Sequence, residues 1–205
     1  MIAIVDYGVG NLFSLESSFA AIGQHVTVTG DERVLQEAER IVLPGVGAFG
    51  DATEKLRRSG LDAAVCAEAR KGKPLLGICL GMQLLFEKSY EYGEHAGLGL
   101  IPGAVRPIRD MIPAQYKIPH IGWNALHFTA RPSPLLRYVK QGECVYFVHS
   151  FAAADCEESV IATAEYGAEL TAAVQRANVF GCQFHPEKSG GVGLNILKAF
   201  CEVEA

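Results

Sequence analysis

Apolar and polar positions alternate between two rhythms along the first half of the chain. Residues 1–6 (MIAIVD) form a short apolar run, broken at once by Gly8-Val9-Gly10-Asn11. Leu12, Leu15, Phe19 and Ile22 then fall on one helical face, with Asn11 placed to cap that helix. His25 to Thr29 (HVTVT) and Arg40 to Leu43 read as strands, the second stopped by Pro44. Helical spacing follows near 51–58 and over 61–70. Pro74 to Ile78 is a continuous apolar run, as a strand buried on both faces requires. Gly81 to Lys88 reads as a helix with Met82, Leu85 and Phe86 turned inward. Strands alternating with helices predict a parallel sheet.

From about residue 117 the rhythm shortens. Segments 117–121, 123–128, 143–148, 160–165, 171–176 and 178–184 read as closely spaced strands, and Leu194, Leu197 and Phe200 as a closing helix. The expectation is an α/β fold: a mostly parallel central sheet flanked by helices, with additional antiparallel strands in the second half. No linker, repeat or low-complexity segment divides the chain, so residues 1–205 are read as a single domain.

Composition agrees with this picture. Hydrophobic residues make up 49% of the 205, enough for a core without staples. The net charge of -5 argues against nucleic acid as the main partner, because phosphate binding needs a basic face. The six cysteines include no C-x-x-C pair, so zinc and thioredoxin-like readings lack their spacing and no metal is expected. No secretory signal or bilayer-length apolar run is visible. The expected compartment is a reducing cytoplasm, with most thiols buried as small hydrophobes.

The chemistry concentrates in Gly77-Ile78-Cys79-Leu80-Gly81, a G-x-C-x-G placed between a strand and a helix. A nucleophile elbow has this form: a strained turn lifts the side chain above the sheet, and glycines two residues away avoid the neighbouring backbone. The helix start favours a thiolate, and the Leu80 N–H is a candidate oxyanion donor. Taken alone, the pattern equally describes a core cysteine between packing glycines. His185-Pro186-Glu187 supplies what an elbow needs: an imidazole at a strand end, with a carboxylate two residues on to orient it.

Pro44 to Gly50 (PGVGAFG) is glycine-rich and follows a strand. Its Val46 and Gly47 N–H groups are further oxyanion candidates. Gly45, Gly47 and Gly50 also satisfy G-x-G-x-x-G. A dinucleotide site would need an acidic residue at the end of the next strand, but that strand ends at Cys79, and Glu68 falls within a helix. Phe13 occupies the third glycine position after Gly8 and Gly10, and no P-loop occurs, so no cofactor is expected.

GICLGMQ at 77–83 and QFHPEKS at 183–189 together resemble the class I, or triad-type, glutamine amidotransferases. The resemblance implies Cys79 as nucleophile, His185 as acid–base group and Glu187 as orienter. It also implies a glutamyl thioester intermediate. DYGVGN at 6–11, PHIGWN at 119–124 and YFVHS at 146–150 extend the likeness over the whole chain, to the HisH-type glutaminase subunits of imidazole glycerol phosphate synthase. That family implies a separate (β/α)8-barrel cyclase partner, the HisF type, and ammonia passed through the barrel in histidine biosynthesis. It further implies glutamine contacts at Gln83, Glu91 and Ser150, and a partner-facing mouth at Asn11, Trp123, Tyr146 and Lys188. Core packing for Trp123 and a solvated loop charge for Glu91 are the plain alternatives. His149 reads as a backbone-positioning residue rather than a base. Phe151 to Ala154 depart from the aromatic cluster that members often carry there. A structural partner that lost the chemistry, a glutaminase of another pathway and a γ-glutamyl hydrolase remain open at this point.

Overall fold

A computed structural model describes residues 1–204. The strands in chain order are β1 (Ile2–Val5), β2 (Val26–Thr29), β3 (Arg40–Leu43), β4 (Leu75–Ile78), β5 (Phe86–Ser89), β6 (His95–Ala96), β7 (Ile101–Pro107), β8 (His120–Ala125), β9 (His127–Phe128), β10 (Cys144–His149), β11 (Phe151–Ala154), β12 (Val160–Glu165), β13 (Glu169–Arg176) and β14 (Val179–Cys182). The helices are α1 (Leu12–Ala21), α2 (Glu32–Glu37), α3 (Phe49–Arg58), α4 (Leu61–Arg70), α5 (Leu80–Leu84) and α6 (Gly190–Cys201).

The main sheet has eight strands in the order β2-β1-β3-β4-β14-β13-β12-β9. It is parallel from β2 to β14 and antiparallel from there to β9. Successive residues of each parallel strand face opposite layers, as the pleat demands. Ala3, Val5, Ile41, Leu43 and Leu75 pack with residues of α2, α3 and α4. Ile2, Ile4, Val42, Leu76 and Ile78 pack with Leu15 and Phe19 of α1 and Ile196, Leu197 and Phe200 of α6. Both faces are therefore covered, which is why these strands read as unbroken apolar runs. A pair, β8 and β10, and a four-stranded sheet, β11-β7-β5-β6, stand beside the main sheet.

The parallel strands and the β12–β13–β14 hairpins match the expectation, with β13 starting two residues earlier than anticipated. The helix expected over 81–88 is a correction: α5 stops at Leu84 and the chain turns extended as β5. The carbonyls of Leu84, Leu85 and Phe86 receive the N–H groups of Leu98, Leu100 and Gly99 at 2.8, 2.9 and 3.1 Å, so a distant segment takes the acceptors that a continuing helix would use. The strands expected at 117–121 and 123–128 are instead one strand over 120–125, paired along its length with β10, followed by the short β9. Asn11 holds the N-cap position of α1, but its side chain makes no capping hydrogen bond.

Candidate active site

The register of two parallel strands creates the site. Cys182 of β14 pairs with Ile78 of β4, so residue 79 and residues 183–185 leave the sheet side by side at its C-terminal edge. That edge, where chains diverge from neighbouring strands, is where open α/β sheets place ligands. The Cys79 N–H donates to the Cys182 carbonyl at 2.8 Å, which ties the two exits together.

Cys79 has φ 54 and ψ -113, outside every region comfortable for an L-residue. A Cβ added at Gly77 would lie 2.7 Å from the Gly81 carbonyl oxygen, and one at Gly81 would lie 1.9 Å from that of Leu43. The flanking glycines are thus required by backbone contact, as the elbow reading anticipates. Leu80 opens α5, so its N–H has no acceptor within the helix.

Residues 44–47 lie directly against this turn. A Cβ on Gly45 would come within 2.7 Å of the Gly81 nitrogen and 2.9 Å of Leu80 Cβ. Gly47 has φ +90 with open space around it, and Val46 is 43% exposed. Tyr7, buried, donates its hydroxyl to the Pro44 carbonyl at 2.8 Å and so props the strand end from which this loop departs. The sequence shows Tyr7 within DYGVGN but gives it no role.

His185 is buried, and its Nδ1 lies 2.8 Å from Glu187 Oε1. That bond leaves Nε2 for Cys79. Burial alone would depress the imidazole pKa. The Cys79 sulfur and the Glu187 carboxylate outweigh it and raise the pKa to about 9. The loop is stapled to β10. His185 N–H donates to the Tyr146 carbonyl at 2.9 Å, while Ser189 Oγ donates to the His185 carbonyl at 2.6 Å and accepts from Tyr146 N–H at 3.0 Å. Ser189 is a positioning residue the motif contains but spacing cannot single out.

Cys79, His185, Val46, Gly47, Leu80, Gln83, Glu91 and Ser150 all line one cavity of about 300 Å³. This volume sits at the small end for ligand pockets. Glu187 stands behind His185. Gln83 is buried, and its Nε2 donates to the Phe151 carbonyl at 3.1 Å and to Gln183 Oε1 at 3.0 Å. Both its N–H bonds are spent, so only its Oε1 is left for a ligand. Glu91 is buried rather than a solvated charge; burial raises its pKa, opposed by the Phe49 N–H that donates to Oε2 at 2.7 Å. His149 sits as a positioning group, its Nδ1 2.9 Å from the Phe151 carbonyl. Among the described residues no cluster of three His, Cys, Asp or Glu side chains is arranged to hold a metal.

The four residues expected at a partner-facing mouth are placed as follows. Trp123 is 57% exposed, so core packing does not account for it. It meets the Tyr146 ring edge-on at 6.2 Å, and Lys188 Nζ stands 6.0 Å from the same ring. Asn11 stands at the head of α1, a helix that packs on the turn at Pro186–Lys188.

A parallel sheet that presents a thiol, an imidazole and a carboxylate together at neighbouring strand ends has the arrangement that nucleophilic catalysis by a cysteine requires. The profile of the family Glutamine amidotransferase class-I matches residues 3–203. Imidazole glycerol phosphate synthase subunit HisH of Wolinella succinogenes is 50% identical, over 99% of this chain and all of its own. The protein of the same name from Aquifex aeolicus is 48% identical over 96% and 94% of the two chains. Among solved structures, PurLQS from Thermotoga maritima shares the fold with a TM-score of 0.75 at 22% identity, over 98% of this chain and 96% of its own. The chain belongs to the class-I glutamine amidotransferase family and, within it, to the HisH subunits of imidazole glycerol phosphate synthase.

Proposed function

We propose that this chain hydrolyses glutamine to glutamate and ammonia through Cys79, His185 and Glu187. It delivers the ammonia to a HisF-type (β/α)8-barrel cyclase that makes imidazole glycerol phosphate and aminoimidazole carboxamide ribotide in histidine biosynthesis. Residues 1–205 act as one glutaminase unit in the cytoplasm. The observation that carries the reading is the shared cavity: a thiol on a strained turn and an imidazole hydrogen-bonded to a carboxylate line the same small pocket.

His185 Nε2 takes the Cys79 proton, and the thiolate adds to the side-chain carboxamide carbon of glutamine. The carbonyl oxygen becomes an oxyanion that receives N–H bonds from Leu80 and the Val46–Gly47 segment. The C–N bond then breaks, His185 gives its proton to the departing nitrogen, and ammonia leaves a γ-glutamyl thioester. Water, losing a proton to His185, adds to the thioester; the C–S bond breaks and glutamate departs. Glu187 holds the imidazole in the tautomer that keeps Nε2 towards sulfur. Glu91, with one oxygen unoccupied by protein, suits the substrate α-ammonium. The Gln83 Oε1 and Ser150 contact the same ligand. Trp123, Tyr146 and Lys188 form the partner-facing mouth with Asn11 at its edge.

Loss of one oxyanion donor costs about 3–4 kcal/mol of barrier. A loop as free as Gly47 therefore keeps the isolated chain slow until the partner orders it. The test is glutamate release from glutamine by the chain alone, then with a HisF-type barrel and its nucleotide ligand. Release that rises on adding both supports the reading. Equal rates in both conditions refute the gating, and turnover of γ-glutamyl peptides but not of glutamine refutes the function.

A further inference from the structure

The buried amide of Gln183 takes no part in the chemistry above, yet it touches the reacting sulfur. Gln183 is fully buried, and its Nε2 lies 3.8 Å from Cys79 Sγ, within the longer reach of a hydrogen bond to sulfur. An amide can be turned either way in place, so the polarity of that contact has to be deduced. The main-chain carbonyl of Phe151 settles it. A carbonyl only accepts, so the Gln83 group 3.1 Å from it is the nitrogen. The second N–H of that nitrogen points to Gln183 at 3.0 Å, so the Gln183 atom there is Oε1. Its nitrogen is then the atom facing sulfur.

The same carbonyl fixes the other side of the network. His149 carries its proton on Nδ1, 2.9 Å from the Phe151 oxygen, so its Nε2 accepts from His120 Nδ1 at 2.9 Å. His120 Nε2 in turn faces the Asn124 amide nitrogen at 3.3 Å. The Asn124 amide is itself oriented, accepting from Ala125 N–H at 2.8 Å and donating to the Glu165 carbonyl at 2.7 Å. Burial lowers the His120 and His149 pKa values to about 4 and about 3, so both rings stay neutral and the chain keeps one polarity at working pH.

The other titratable neighbours of the sulfur do not compete as donors. Tyr7 directs its hydroxyl to the Pro44 carbonyl, and Cys182, raised in pKa by burial, points to the Gly77 carbonyl at 3.9 Å. Among the described residues, His185 and Gln183 are the groups left to face Cys79 Sγ as donors. His185 must leave that role when it carries a proton to ammonia, whereas Gln183 has no proton to give.

We infer that Gln183 is a further catalytic residue of this site, a fixed N–H donor that steadies negative charge on the Cys79 sulfur as it attacks and again as the thioester breaks. This rests on Cys79 being the nucleophile. A hydrogen bond to an ionised acceptor is among the stronger ones, and its loss slows reaction of the sulfur by about tenfold.

The test is alkylation of the full chain by iodoacetamide between pH 6 and 9, with Cys79 modification followed by mass spectrometry and the exposed Cys144 as internal reference. Gln183→Met removes the donor at similar volume; Gln183→Glu keeps the acceptor towards Gln83 and places an oxygen against sulfur. Both variants are checked for folding by thermal melting. The expected result is a roughly tenfold slower Cys79 reaction at pH 7 in Gln183→Met. Its Cys79 reaction stays slower across the pH range, and its glutaminase kcat falls with KM retained. Gln183→Glu falls at least as far. A folded variant whose Cys79 profile overlays the wild type overturns the inference, even if its melting temperature drops, because that is the signature of a purely structural amide. If wild-type Cys79 reacts no faster than Cys144, the nucleophile assignment fails and this inference with it.

Discussion

Replacing Cys79 by glycine should raise the stability of the protein above that of Cys79→Ala, although both variants are inactive. Both lose the sulfur and its contacts with His185 and Gln183, so their difference isolates the Cβ. At φ 54 and ψ -113 that Cβ sits outside even the left-handed helical pocket, which puts the strain near the upper end of about 1–3 kcal/mol. Glycine relieves it, but loses about 0.5–1 kcal/mol to the greater freedom of its unfolded chain. It also forfeits the burial of one methyl, about 0.8 kcal/mol. The net is about 1 kcal/mol in favour of glycine. For 205 residues the entropy of unfolding is about 0.4 kcal/mol per kelvin, so Cys79→Gly should melt about 2–3 °C above Cys79→Ala. Paired calorimetric scans at one scan rate and pH measure this. A glycine variant that melts below the alanine variant would show that the turn stores no strain, and the elbow argument would lose its physical basis.

Other outcomes follow from the same geometry. Gly81→Ala, with its Cβ 1.9 Å from the Leu43 oxygen, should cost more than about 4 kcal/mol, read as loss of folded protein in urea titration. Gly47→Ala meets open space and should cost only about 1–2 kcal/mol for its positive φ, yet reduce glutamine turnover much more than stability. Ser189→Ala, which strands the Tyr146 N–H and leaves the His185 carbonyl only the Lys188 N–H at 3.0 Å, should cost about 1–3 kcal/mol in denaturant titration. The His185 pKa is raised from an ordinary value near 6.5 to about 9, so its contribution to stability is complete below pH 6.5 and is lost as pH rises to 9. Glu187→Gln removes part of that shift. Its melting temperature should therefore fall less between pH 6.5 and 9 than the wild type's, and the alkaline limb of its residual activity should move to lower pH. A slope equal to the wild type's would remove Glu187 as a cause.

What was legible in the sequence was local. β1 and β3 are apolar runs followed closely by Gly or Pro, β4 is one that ends in the elbow, and His-Pro-Glu sits at the end of another. Their meeting follows from the β4–β14 pairing, which the motifs imply only jointly. What escaped was non-local. Met82, Leu85 and Phe86 fit a helix as well as the helix-then-strand that forms, and the choice is made by residues 98–101 reaching the carbonyls of 84–86. The six-residue α2, capped by Asp31 accepting from Arg33 N–H at 2.8 Å, is too short to show a period. Trp123 gave no sign of which way it faced until β8 was paired with β10. Gln183 looked like one polar residue ending a strand; its contact with sulfur depends on Gln83, a hundred residues away, and on a main-chain carbonyl, which no side-chain pattern encodes.

One sulfur among the six cysteines should become acylated by glutamine. The direct measurement is intact-mass and peptide mapping after exposure to an electrophilic glutamine analogue, with the wild type, Cys79→Ala and His185→Ala compared. One adduct per chain is expected on the peptide that carries residue 79, abolished in Cys79→Ala, strongly slowed in His185→Ala and blocked by excess glutamine. An adduct on Cys144 or Cys201 instead, or labelling that persists in Cys79→Ala, would contradict it.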